Sequence, residues 1–152
     1  MGFWIALHIL SAVVWVGGMV FAYAFVRPSA GEALEPAERL KLWRGIFRRF
    51  FPVVWTAIAL LLLSGYAMVF TVFGGFDHVG LHVHLMQGIG IVMMLIFAHL
   101  YFAPWRRLGA ALDAGETPAA AKQLDVIRRI VGINTVLGLI VVLLGSTGRY
   151  WG

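Results

Sequence analysis

Four long apolar runs constrain this chain more than any other feature. They cover roughly residues 3–26, 51–73, 81–102 and 130–148, and charge, proline or a glycine-rich turn closes each one. A helix of about 20 apolar residues crosses a ~30 Å hydrocarbon core and satisfies its own backbone N–H and C=O groups. The chain is 152 residues long, 61% hydrophobic and 12% charged. A soluble domain carries about a quarter charged residues. The expected fold is therefore all-α: an integral membrane four-helix bundle in one transmembrane domain, running up-down-up-down through short links. The first run lacks a basic leader and a cleavage site, so it is expected to stay as the first span.

The basic residues set the expected orientation. Arg27, Arg39, Lys41, Arg44, Arg48 and Arg49 lie between the first two runs. Arg106, Arg107, Lys122, Arg128 and Arg129 lie between the last two, and only Arg149 lies on the other side. By the positive-inside rule both basic loops are cytoplasmic and both termini are outside, in a multi-pass membrane protein. The net charge of +5 then reflects topology and contact with lipid headgroups, not a nucleic-acid partner. Residues 38–50 place Leu40, Trp43, Phe47 and Phe50 on one face with basic residues around it. This reads as an amphipathic interfacial helix or an extension of the second span. Arg27-Pro28 is expected to end the first span, and Thr117-Pro118 to cap and open the fourth helix.

With no cysteine in the chain, disulfides, thiolate metal sites, Fe–S clusters and covalently attached haem are excluded. Histidine carries the remaining chemistry. An ionisable side chain at membrane depth is a functional hypothesis by default. His8 falls roughly 8 Å from the outer end of the first helix and His84 roughly 5 Å from that of the third, at 1.5 Å per residue. Met68, near the end of the second span, shares this layer. His82 and His84 point about 200° apart, so only one of them faces the interior. Gly88, Ile91 and Leu95 continue the His84 face, and His84 is taken as the inward one. His99 belongs to the cytoplasmic layer, where Asn134 is a suitable hydrogen-bond partner.

Three readings fit the outer layer. In one, His8 and His84 are hydrogen-bonded interior residues. In the second they are axial ligands of a b-type haem, with Arg149 and Tyr150 pairing its propionates. In the third, copper is held by His8 and His84 with Met68 or Met86 and with His82 or His78. Gly17, Gly18, Gly65, Gly88, Gly90, Gly132, Gly138 and Gly145 lie within the spans. They serve close helix packing or leave room for a flat cofactor. The haem reading makes the chain a membrane redox protein with a quinone or another redox partner. The copper reading makes it a copper-binding or copper-transporting protein. Beyond the lipid bilayer, homo-oligomers are compatible with either. No nucleophilic triad, phosphate loop or carboxylate dyad is present.

Leu7-His-Ile-Leu-Ser-Ala-Val-Val-Trp-Val-Gly-Gly18, followed by Arg27-Pro28, resembles the first helix of the CopD family of bacterial copper-resistance inner-membrane proteins. Ile127-Arg-Arg-Ile-Val-Gly-Ile-Asn-Thr-Val-Leu-Gly138 and the closing Gly148-Arg-Tyr150 are compatible with a small member. The first helix and Leu81-His-Val-His84 are also similar to HemJ-type membrane proteins of haem biosynthesis. These resemblances imply a helical inner-membrane bundle concerned with copper or haem, with His8 at the position of the first-helix histidine of both groups. HemJ-type proteins carry a lysine where this chain has His84.

Overall fold

A computed structural model describes residues 1–151, without the side chain of Arg149. Every element among them is helical. Helix α1 (Gly2–Phe21) passes through a π turn (Ala22–Val26) into α2 (Arg27–Ala33). Helix α3 (Pro36–Thr71) is the longest. A turn through Gly74 and Gly75 and a 3₁₀ segment (Phe76–His78) lead to α4 (Leu81–Phe102). Then come α5 (Pro104–Asp113) and α6 (Thr117–Thr147). Four helical stretches, Gly2–Ala33, Pro36–Thr71, Leu81–Asp113 and Thr117–Thr147, are each long and apolar enough to cross a membrane.

The first stretch does not stop at Arg27-Pro28. The Arg27 N–H reaches back five residues to Ala22 O. This wider turn sits immediately before Pro28, whose ring would otherwise crowd the carbonyl four residues back. The helix therefore continues to Ala33 and breaks at Leu34, which is extended at φ −124° and ψ 140°. The amphipathic segment at residues 38–50 is part of α3, which also runs on through Pro52. Thr117 is the first residue of α6 and Glu116 its cap position, one residue earlier than the sequence pattern implied. Gly74 and Gly75, at φ 79° and 126°, turn the chain from α3 into α4. Side chains with a Cβ rarely reach those angles.

Two helix pairs make up the bundle. Helix α1 packs on α3, and α6 packs on α4 and α5. The basic ends of the pairs are joined by an aromatic core. Phe51 of α3 stacks on Phe47 at 5.0 Å and meets Phe97 of α4 edge-on at 5.4 Å and Trp105 of α5 at 5.3 Å. Leu108, Ala120 and Ile127 are fully buried in the same cluster. The Arg44–Asp113 ion pair at 2.7 Å also ties α3 to α5, but both side chains are well exposed, so it contributes little beside that burial. Between α1 and α6, Gly138 lies against Val16: an added Cβ there would stand 2.9 Å from Val16 Cγ2. Toward the end that carries the termini the pairs part, and the α3 and α4 backbones hardly approach each other.

Candidate functional site

The parting of the two pairs leaves a cleft of about 490 Å³ walled by α1, α3, α4 and α6. Its lining is overwhelmingly aliphatic and aromatic. His8 enters from α1, Tyr66 from α3, Met86, Gln87, Met93 and Met94 from α4, and Gly145 and Ser146 from α6. The cleft reaches the lipid-facing surface beside Leu62, Tyr66 and Ile91, each exposed by more than a third.

The hydrogen bonds around His8 favour one tautomer. Its Nδ1 lies 2.9 Å from Ser64 Oγ. Ser64 is fully buried and gives its single hydroxyl proton to Leu60 O at 2.6 Å, one helical turn back. The proton between the two side chains therefore belongs to Nδ1–H, which donates to Ser64. Nε2 is left as an unprotonated lone pair. Gly65 stands beside the ring, where a Cβ would lie 3.4 Å from His8 Cε1, at van der Waals contact. A larger side chain would press on the ring.

Sulfur is the other donor type at the cleft. Met86 is wedged against α6, its Sδ 3.4 Å from where a Cβ on Gly145 would stand. Met93 is buried and its methyl group reaches toward Gly138. Gln87 Nε2 donates to Tyr66 Oη at 3.1 Å, a polar link from α4 to α3 across the parting.

The remaining residues expected at the site are more scattered. His84 is exposed, outside the cleft lining, and stacks on Phe76 with ring centroids 6.4 Å apart. His82 is half-buried and turned toward α6, its ring root packed against Gly148. The two histidines thus face opposite to the sequence expectation. Gly145 of α6 and Gly148, just past its end, give a flat surface that receives Met86 and His82, one turn apart on α4. Met68 is half-buried and does not line the cleft. Tyr150 is exposed. The expected pairing of Arg149 with propionates concerns a side chain outside the described residues. His78 lies exposed in the 3₁₀ segment.

His99 is exposed, and Asn134 turns elsewhere: it is buried and its Nδ2 donates to Met93 O at 3.1 Å. Among the described residues, no three His, Cys, Asp or Glu side chains gather closely enough to hold a metal ion. A metal in the cleft would therefore need ligands besides imidazole, and the methionine thioethers are the soft donors on its walls.

Sequence reasoning missed Ser64, Tyr66 and Gln87, and singled out Gly65 only as one of the small residues within the spans. Gln87 carried a usable signal, as an amide within an apolar run. Ser64-Gly65 carried another, as a small polar pair inside the second span.

An all-helical membrane protein with a cleft of imidazole and thioether donors between two helix pairs is the class these features define. Residues 44–147, more than half of the chain, match the family described as copper resistance protein D. The chain belongs to that family. No curated protein and no solved structure matched it. The matched segment holds Ser64 and the methionines of the cleft, while His8 lies ahead of it.

Proposed function

We propose that this chain handles copper in the membrane, taking Cu(I) into the cleft with His8 Nε2 and methionine thioethers as ligands. The hydrogen-bonded chain from His8 Nδ1 through Ser64 Oγ to Leu60 O is the observation that carries this reading. A metal-bound histidine characteristically donates its other ring N–H to a nearby acceptor, which fixes the ring and raises ligand basicity. The His8–Ser64–Leu60 relay has that arrangement. Thioether sulfur is a soft donor suited to Cu(I), and Met86, Met93 and Met94 line the same cleft. No carboxylate lines it, which disfavours hard ions. Family membership adds the link to copper. Copper is cargo or substrate in this reading. With eleven of the twelve basic residues at the other end, the cleft lies in the outer leaflet of a bacterial inner membrane.

A second reading is favoured by the volume and apolar walls of the cleft: a b-type haem with His8 as one axial ligand and a role in electron transfer. It needs a second ligand. His84 stands on the outward face of α4, and His82 turns toward the bundle.

Purification in detergent with metal analysis and a visible spectrum separates the two. The copper reading expects colourless protein that retains copper and loses it in His8→Ala. A Soret band with stoichiometric iron would replace it with the haem reading.

A further inference from the structure

The copper reading uses a few donor atoms of the cleft and leaves most of its volume without an assigned role. A monovalent ion needs far less than about 490 Å³, a size that holds a small organic molecule. The cleft also opens sideways into lipid, beside Leu62 and Ile91. Its occupant therefore reaches it from the bilayer and is itself lipophilic.

Two polar groups at the cleft select among lipophiles. His8 Nε2 has a lone pair and no proton, so it accepts and does not donate. Tyr66 Oη accepts from Gln87 Nε2, which leaves its own proton to donate into the cleft. An acyl chain would leave both groups unmatched in an apolar medium, which is unfavourable. An aromatic ring with oxygens at opposite edges matches both.

We infer that the cleft binds a lipid-borne para-hydroquinone. One phenolic O–H donates to His8 Nε2, the other ring oxygen accepts from Tyr66 Oη–H, and the isoprenoid tail leaves between α3 and α4. The oxidised quinone has no O–H to give. Its carbonyl would meet the Nε2 lone pair, so the reduced form binds more tightly. Gly90 lines the opposite wall with open space at its Cβ position, which keeps the ring slot clear. This inference concerns binding alone and does not rest on the copper reading.

The test uses the full chain, stripped of metal by chelation and placed in lipid nanodiscs. A decyl-substituted 1,4-benzoquinone or its hydroquinone is added anaerobically, and quenching of tryptophan fluorescence is followed, since Trp15 borders the cleft. Saturable quenching is expected, with the hydroquinone bound about tenfold tighter than the quinone. Tyr66→Phe should weaken both forms about tenfold. Gly90→Leu should abolish saturation while the protein still elutes as a single folded species. If that variant does not fold, Tyr66→Phe decides alone, because its side chain is more than a third exposed and the change removes one oxygen. Quenching that rises linearly with membrane partition overturns the inference. So does equal affinity for the two forms in both wild type and Tyr66→Phe, or a co-purified phospholipid that the hydroquinone cannot displace. Loss of copper binding leaves this titration untouched, so the two readings fail separately.

Discussion

Ser64 Oγ sits 2.9 Å from His8 Nδ1 and 2.6 Å from Leu60 O, and its one proton serves the second contact. A serine on α3 thereby decides which nitrogen of a histidine on α1 is available for chemistry. The relation joins two spans 56 residues apart in sequence.

Ser64→Ala removes the acceptor and leaves the fold. The lost hydrogen bond costs about 1 kcal/mol of stability. The larger effect falls on the ligand: freed from Ser64, the imidazole can rotate or shift its proton to Nε2. Cu(I) affinity should fall by roughly 10–100-fold, as for other outer-shell partners of metal-bound histidine. Competition with a colorimetric Cu(I) chelator reads this directly. Unchanged affinity would show that the relay does not prepare His8.

Gly138 and Gly90 should respond oppositely to the same change. A Cβ on Gly138 would stand 2.9 Å and 3.1 Å from the two Val16 methyls and 3.3 Å from Met93 Cε. Val16 is β-branched and cannot easily turn away. Gly138→Ala should therefore destabilise the bundle by about 1–3 kcal/mol. Gly90→Ala meets open space and should keep or raise the melting temperature, since alanine favours the helix by about 0.5–1 kcal/mol. Thermal unfolding in detergent compares the pair.

Asn134 is a half-satisfied buried amide. Its Nδ2 donates to Met93 O, but its Oδ1 is buried with no partner among the described residues. Beside it is a void of about 30 Å³ bordered by Trp15, Met19 and Phe97. Asn134→Leu loses one hydrogen bond, removes the stranded carbonyl and adds carbon toward the void. These terms oppose, so stability should change by less than about 1 kcal/mol. Asn134→Asp places a carboxylate against Met93 O and should lower the melting temperature sharply. The same unfolding assay distinguishes the two variants.

The orientation is open to a direct check, because the chain has no cysteine of its own. Asp77→Cys lies in the exposed turn between α3 and α4, and Glu116→Cys is exposed at the start of α6. With a membrane-impermeant thiol reagent on intact cells, Asp77→Cys should label and Glu116→Cys should label only after permeabilisation. The reverse pattern would put the cleft on the cytoplasmic side.

Much of the fold was legible because lipid enforces it. Apolar runs of spanning length leave the backbone one way to satisfy itself, so four helices follow from composition and length. His8 was legible as a polar residue in such a run. The facing of the third span was not. In a lipid-embedded helix both faces are apolar, so the stripe through His84, Gly88 and Ile91 looked as interior as the one through His82, Met86 and Gly90. Packing decided between them, through Gly145 and Gly148 on a helix about 60 residues later. The π turn before Pro28 escaped for a related reason. Proline stops an α-turn, and only the three-dimensional register shows that a wider turn has made room for it. Ser64 was hidden because its role depends on the rotation of α1 against α3.

The central claim is that His8 Nε2 is a prepared ligand for copper. The most direct measurement is a Cu(I) titration of the purified, metal-stripped protein against a competing chelator, in wild type and His8→Ala, with a visible spectrum of both as isolated. The account expects about one Cu(I) per chain in wild type, a loss of at least about tenfold in affinity in His8→Ala, and no Soret band in either. Copper binding of equal strength in both proteins, or a Soret band with about one iron per chain that disappears in His8→Ala, would contradict it.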